Sequence, residues 1–237
     1  TSSVAMNALV AFPKVAFPQI ARRKQASLAA LRDQVRRLEG FGGGAAAVPL
    51  GVPAVDACLP GGGLPLGRIE AVTAADPGAG TGFCAWALAR VALATGKPAA
   101  WIVRGRDLYA PGLAAYGLTP DRLIAVRAPR GIDALWALEE CLRSRRLSAA
   151  LLEADRVDMT AGRRLQLAAE AGGTAGFLLF GAQAGNESAA RAPTAALRWR
   201  AASVPTSPGE NRMDWPAICW DVALERAQAG KPGAWRL

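Results

Sequence analysis

The stretch that decides the fold is residues 61–82, GGGLPLGRIEAVTAADPGAGTG. It passes from a short apolar segment through the glycine-rich residues Gly78–Gly82 into a second apolar segment. A working phosphate loop has the pattern G-x-x-x-x-G-K-[ST], whose amides wrap the phosphates, whose Lys reaches the β- and γ-phosphates, and whose hydroxyl binds magnesium. In this chain Thr81 or Gly82 stands at the position of that Lys. We therefore predict a phosphate-loop scaffold that has lost its catalytic charge.

Outward from this stretch, strand patterns and helix patterns alternate. Short apolar runs predict strands at Arg68–Thr73, Ala99–Val103, Leu123–Arg127, Ala149–Glu153 and Phe177–Phe180. Helices are predicted at Gly82–Thr95, Ile132–Arg145 and Ala161–Ala171, with a helical turn at Pro111–Tyr116. A period of two then predicts antiparallel strands at Ala196–Ala202, Ile218–Arg226 and Ala234–Leu237. We expect an α/β fold, with a mostly parallel sheet flanked by helices and antiparallel strands at its C-terminal end.

The first 45 residues differ in character from the rest, so we divide the chain into an arm, residues 1–45, and a core domain, residues 46–237. Residues 22–39 have the pattern of an amphipathic helix. Its apolar and basic residues include Leu28, Leu31, Val35, Leu38, Arg36 and Arg37. The glycine-rich segment Gly40–Gly44 predicts a flexible joint after it. The helix either folds back on the core or docks a partner or a second protomer through these residues.

Composition excludes several classes of site. The 237 residues include no His, and the four Cys show no C-x-x-C spacing, so we expect neither a zinc or other metal site nor a His-dependent triad. No run of 18 apolar residues exists, and the charges of the N-terminal segment follow its apolar part. We therefore expect a cytoplasmic protein without a membrane span or secretory signal. The net charge of +9 suits a nucleic acid or an acidic partner, although a GC-rich genome, which favours Arg over Lys, explains it equally well.

Several local motifs resemble known proteins. The RecA recombinase core has segments of similar sequence, in the same order, to residues 62–69, Trp101–Val103 and Leu113–Leu123, so this part of the chain resembles it. More closely, residues 28–237 resemble the ImuA family of RecA-related mutagenesis accessory proteins. The residues that carry this likeness are Leu28–Glu39, Arg163–Gly172, Trp220–Arg226 and Gly233–Trp235. The likeness implies a RecA-like fold of the phosphate-loop NTPase type.

The resemblance also implies where ATP chemistry would lie. In the recombinase pattern a loop Lys, an acidic residue after the second core strand and an Asp that ends a later strand work together. Here the Lys is absent, Gly105 or Arg106 takes the second position beside Asp107, and Glu153 takes the third. We expect no ATPase activity and no bound cofactor. Residual phosphate or ATP binding stays open, and its candidate residues are Gly78, Gly80, Thr81, Gly82 and Glu153.

The family likeness implies a role in the SOS response to DNA damage, as a non-catalytic adaptor in error-prone translesion DNA synthesis. The implied partners are an ImuB-type, Y-family polymerase-like protein and RecA, and through them an error-prone C-family polymerase. Besides the arm residues, Trp199, Trp220 and Trp235 are candidate partner anchors if they are exposed; otherwise they belong to the core or cover the edge of the sheet. Homo-oligomerisation and non-specific DNA contact through scattered arginines stay open. The alternatives are a divergent DNA-stimulated ATPase of the RecA/KaiC class and a protein that caps recombinase filaments.

Overall fold

The computed structural model describes residues 46–105, 108–181, 192–205 and 218–237. The predicted arm, with Leu28, Leu31, Val35, Leu38, Arg36 and Arg37, lies outside these residues. The described residues all fall within the compact unit Gly43–Leu237. No helix in this described part of the chain is long and apolar enough to cross a membrane.

Within the described residues, eight strands form one sheet, and a separate two-stranded ribbon precedes it in the chain. The ribbon pairs Ala47–Val48 (β1) with Leu64–Pro65 (β2). The strands of the sheet are Ile69–Ala74 (β3), Ala99–Val103 (β4), Leu123–Arg127 (β5), Ala149–Glu153 (β6), Ala175–Phe180 (β7), Leu197–Val204 (β8), Cys219–Ala227 (β9) and Gly233–Arg236 (β10). Their spatial order is β10-β9-β8-β3-β7-β6-β4-β5. From β8 to β5 the strands are parallel, whereas β8, β9 and β10 pair antiparallel.

Helices cover both faces of the parallel strands. The helices of the described residues are Pro53–Asp56 (α1), Pro77–Thr95 (α2), Ala110–Ala114 (α3), Gly131–Arg143 (α4) and Met159–Gly172 (α5). One core lies beneath α2 and the second lies beneath α4 and α5. Because β4 and β7 lie between these two layers, every residue of both strands is buried. This explains why their sequences are continuously apolar instead of alternating.

The predicted fold class is confirmed, with two corrections. Helix α2 begins at Pro77, five residues earlier than predicted, so Gly78–Gly82 are helical and do not form a loop. The first strand of the C-terminal group, β8, pairs parallel with β3 on one side and antiparallel with β9 on the other. Strands β4, β5 and β6 have the predicted bounds.

Candidate functional site

The candidate site is a cavity of about 530 Å³ at the carboxyl ends of the parallel strands. Open α/β sheets bind ligands at this edge, because the loops after several strands converge there. Ala74 ends β3, Glu153 ends β6, and Leu179 lies near the end of β7. The other residues that line the cavity are Pro77, Thr81, Arg104, Gly105, Pro129, Ala154, Asp155 and Gly181.

The N-terminus of α2 faces this edge, and Asp76 caps it. The Ala79 amide donates to Asp76 Oδ1 at 2.8 Å. From the end of β8, the Ser203 amide donates to Asp76 Oδ2 and the Ser203 hydroxyl to Oδ1, both at 2.8 Å. Pro77, with its fixed φ and missing amide hydrogen, suits the first helical position. A carboxylate of the protein thus occupies the helix terminus that a phosphate loop would offer to a phosphate.

The pKa of Asp76 reflects the same geometry. Partial desolvation raises the pKa of this carboxyl, but hydrogen bonds from the amides of Ser203, Ala79 and Gly78 and from the Ser203 hydroxyl lower it by more. The net effect places the pKa below its ordinary value. Asp76 is therefore a charged cap throughout the neutral pH range.

Two of the predicted phosphate-loop glycines serve close packing. A Cβ on Gly80 would lie 2.4 Å from the Cβ of Ala74, and a Cβ on Gly82 would lie 2.6 Å from Cζ2 of Trp220. Both glycines are buried, whereas Gly78 is exposed beside the Asp76 carboxylate. Among the five predicted cofactor residues, only Thr81 and Glu153 line the cavity.

The charged side chains of the cavity are bound to one another or to the core. Arg104 forms an ion pair with Asp155. At the end of β6, Glu153 accepts a hydrogen bond of 3.0 Å from the indole of Trp101. Among the described lining residues there is no lysine, and two carboxylates face one arginine. A triphosphate needs cations around its phosphates, but two carboxylates and one paired arginine line this cavity, and the helix terminus is already capped by Asp76. The described part of the site therefore does not fit a magnesium-bound triphosphate.

The positions that we expected to replace the acidic residue of the recombinase pattern are only partly described. Gly105 lines the cavity and carries no functional group. Arg106 and Asp107 lie outside the described residues. The described residues also contain no cluster of cysteine, aspartate and glutamate side chains that could hold a metal ion.

Sequence analysis missed a buried carboxyl beneath α2. Glu70, on β3, is fully buried, and its Oε2 accepts a hydrogen bond of 2.9 Å from the indole of Trp199. Its Oε1 has no hydrogen-bond partner in the described structure. Burial raises the pKa of Glu70 to about 8, although the Trp199 bond opposes this rise. A glutamate in an otherwise apolar strand was the only signal that could have revealed it.

The structure distinguishes between the two roles that the sequence left open for the candidate tryptophans. Trp199 is fully buried and Trp220 is nearly so, and Trp220 packs against Tyr116 with ring centroids 5.6 Å apart. The burial of these two side chains supports the core alternative and not the surface-anchor alternative. Trp235 is half-buried and packs against the core beneath α2. Among the tryptophans that the structure describes, the exposed one is Trp136, on α4, which sequence analysis did not single out.

Comparisons with known proteins agree on family and fold. No protein-family model matches the chain. Two curated relatives, both named Protein ImuA and both from strains of Caulobacter vibrioides, are 39% identical over 197 residues. Each match covers 79% of this chain and 81% of the relative. A KaiC-like protein from the archaeon Pyrococcus horikoshii has a crystal structure that matches at a TM-score of 0.56 and 14% identity, covering 81% of this chain and 93% of that one.

Proposed function

The chain belongs to the ImuA family, and from this premise we propose that it is a non-catalytic adaptor of error-prone translesion DNA synthesis in the SOS response. The adaptor acts through contacts with an ImuB-type, Y-family polymerase-like protein and with RecA, and indirectly with an error-prone C-family polymerase. A cytoplasmic location is part of the same proposal. The RecA-like core supplies protein-docking surfaces in place of nucleotide chemistry.

The observation that carries this proposal is the Asp76 cap. ATP hydrolysis on this fold needs free backbone amides and a cation around the phosphates. Here only two residues separate β3 from α2, and the carboxylate of Asp76 accepts a hydrogen bond from the Ala79 amide. A triphosphate at the same terminus would meet this carboxylate at close range, and like charges in such a site repel strongly.

The cavity residues support the same conclusion. Arg104 is the one cation among the described residues that line the cavity, and its guanidinium already pairs with Asp155. Removing one electrostatic group of this kind from a phosphoryl-transfer site costs roughly 3–4 kcal/mol of transition-state stabilisation. The loss of both the lysine and the water-activating acid is expected to leave no measurable turnover.

The test of the proposal measures partner binding and hydrolysis on the same preparation. Purified chain is immobilised and exposed to an ImuB-type protein and to RecA, each with and without DNA, while phosphate release from ATP is followed in parallel. We expect saturable binding of at least one partner and phosphate release at the background rate. Binding of neither partner would overturn the adaptor role. Hydrolysis above background that disappears in Glu153→Gln would show that the chain is an enzyme.

A divergent DNA-stimulated ATPase of the RecA/KaiC class is the second candidate. The cavity of about 530 Å³ favours it, because this volume lies in the range of small-molecule sites and Glu153 ends a strand at its wall. Such an enzyme would draw its missing cation from a partner. Calorimetry with ATP, with and without magnesium and DNA, separates the two functions, since only the enzyme requires tight, magnesium-dependent ATP binding.

A further inference from the structure

Three exposed cations lie at the amino ends of the central strands, at the other end of the parallel sheet from the cavity. Lys97 belongs to the turn between α2 and β4, and Arg145 and Arg146 belong to the turn between α4 and β6. The Ser148 amide and hydroxyl both donate to the Pro98 carbonyl, at 2.9 and 3.0 Å, and these bonds join the two turns. We call the three cationic side chains the basic edge.

The positive charge of the basic edge is not neutralised by carboxylates of the described structure. In the two turns, the exposed side chains are these three cations. None of them forms an ion pair with a described residue. The carboxylates on the elements around the two turns are already paired, Asp121 with Arg122, Glu170 with Arg68, and both Glu139 and Glu140 with Arg143. The edge therefore presents three positive charges that an anionic partner can neutralise.

A duplex phosphate backbone is the partner that fits this edge. Binding to phosphates depends mainly on positive charge, whereas a protein interface buries an apolar or aromatic centre. The two turns expose no apolar side chain, which disfavours an acidic protein. They also contain no aromatic residue, although single-stranded nucleic acid is bound by stacking bases on aromatic rings. Duplex DNA requires neither feature.

We propose that the basic edge binds the phosphate backbone of duplex DNA, through Lys97, Arg145 and Arg146. The contact is independent of base sequence, because short turns at a sheet edge supply no helix or strand that could enter the major groove. The inference goes beyond the proposed function, since an adaptor that acts only through protein contacts needs no surface for DNA.

The same cations have an alternative, structural role. They follow the C-termini of α2 and α4, where positive charge stabilises a helix by about 0.3–1 kcal/mol. A purely structural role predicts that removing the charges lowers stability and leaves DNA affinity unchanged. Urea unfolding of each variant therefore accompanies the binding measurements.

The first experiment titrates the full chain into fluorescent duplexes of two unrelated sequences, at several salt concentrations. We expect the two duplexes to bind with equal affinity. The triple variant with Lys97→Gln, Arg145→Gln and Arg146→Gln is expected to bind at least about tenfold more weakly at low salt. Its plot of log K against log salt should be shallower by about 2.7, the contribution of three phosphate contacts.

A matched triple variant removes the same charge elsewhere. Arg156→Gln, Arg163→Gln and Arg200→Gln change three exposed arginines that also form no ion pair with a described residue. This control should keep its affinity within about threefold of the wild type and its salt dependence unchanged.

A second measurement needs no variant and decides the matter even if the triple variant folds poorly. The wild-type chain is acetylated at lysine with and without duplex DNA, and the modified residues are quantified by mass spectrometry. We expect DNA to slow modification of Lys97 at least about fivefold. Lys231, exposed in the turn between β9 and β10, is the internal control and should react equally in both samples.

Several outcomes overturn the inference. These are an equal loss of affinity in both triple variants, no protection of Lys97, tighter binding of single-stranded DNA than of duplex, and displacement of the duplex by polyglutamate at an equal concentration of charge. The adaptor function is judged separately. If the ImuB-type protein or RecA binds but duplex DNA does not, the basic edge is wrong and the adaptor role stands. If only DNA binds, the adaptor role fails and the variants still decide the basic edge.

Discussion

At the scale of single residues, Asp76 joins two distant parts of the chain. Its carboxylate binds the first turn of α2 and both hydrogen-bonding groups of Ser203, which is 127 positions away. The cap therefore fixes the start of α2 against the end of β8. This one side chain both stabilises the fold and takes the position that a phosphate would need.

Asp76→Ala is expected to lower the free energy of unfolding by about 1–2 kcal/mol, the usual cost of a lost helix cap. Asp76→Asn keeps an acceptor and should cost less. Since the folded pKa of Asp76 is lowered, its charge-dependent stabilisation is present above the unfolded pKa near 3.8 and is lost as pH falls through the folded value. Urea unfolding at neutral and acid pH measures this, and an equal deficit for both variants at every pH would contradict the role of the charge.

The pKa of Glu70 is raised, whereas that of Asp76 is lowered, so the two carboxyls change stability with pH in opposite directions. The folded state keeps its proton up to a pKa of about 8, whereas the unfolded carboxyl releases its proton near 4.5. Because the folded state binds this proton more tightly, full stability exists below about pH 4.5 and is lost as pH rises toward 8.

Glu70→Gln is expected to raise the free energy of unfolding by roughly 3 kcal/mol at neutral pH, since the amide cannot ionise and still accepts from Trp199. The gain should vanish near about pH 4. Urea unfolding of both proteins across this pH range is the measurement. A gain from Glu70→Gln that is independent of pH would contradict a buried, protonated Glu70.

At the scale of elements, α2 is a helix surrounded by other parts of the core. Most of its residues are buried, and its glycines allow β3 and Trp220 to approach. The glycine content of Gly78–Gly82 therefore predicted a loop, whereas the tertiary packing around this segment makes it helical. Its own helix propensity is low, and the packing of both its sides compensates.

Gly82→Ala is expected to destabilise the protein by about 1–3 kcal/mol, because the added methyl group would overlap Trp220. The matched control is Gly131→Ala, in the first turn of α4, where nothing lies within 4 Å of the new methyl group. This control should be neutral or stabilising by up to about 1 kcal/mol. Urea unfolding midpoints compare the two, and wild-type stability of Gly82→Ala would contradict the close approach.

At the scale of the whole molecule, the edge of the sheet has a cavity large enough for a ligand. The charged side chains described in it already form an ion pair or a hydrogen bond with other residues of the chain. A nucleotide site that is saturated 100-fold would stabilise the fold by about 2.7 kcal/mol. In a protein of this size that corresponds to a rise in Tm of roughly 5–10 °C. Tight binding of a nucleotide would therefore be measurable as a rise in the Tm of the protein.

We expect about 1 mM ATP with magnesium to change the Tm by less than about 1 °C, because Asp76 caps the N-terminus of α2 and Arg104, the one cation among the described lining residues, is paired with Asp155. Thermal unfolding with and without nucleotide measures this. EDTA is the control, since it removes any magnesium-dependent contribution. A rise of several degrees that EDTA abolishes would favour the ATPase alternative.

The sequence by itself determined the α/β class, most of the strands and helices, and the family. These features depend on local hydrophobic periodicity and on short motifs, which a linear pattern carries. The bounds of β4, β5 and β6 are examples. The missing Lys was likewise visible in the sequence, because a phosphate loop is defined by adjacent residues.

Only the tertiary structure decided what surrounds each side chain. Asp76 meets Ser203, and Trp199 meets Glu70, across separations of 127 and 129 positions. No periodicity encodes such pairs, so the burial of Trp199 and the exposure of Trp136 could not be read from residue type. The packing of α2 against β3 and β8 made a helix of a glycine-rich sequence, and the contact with Ser203 fixed Asp76 as its cap.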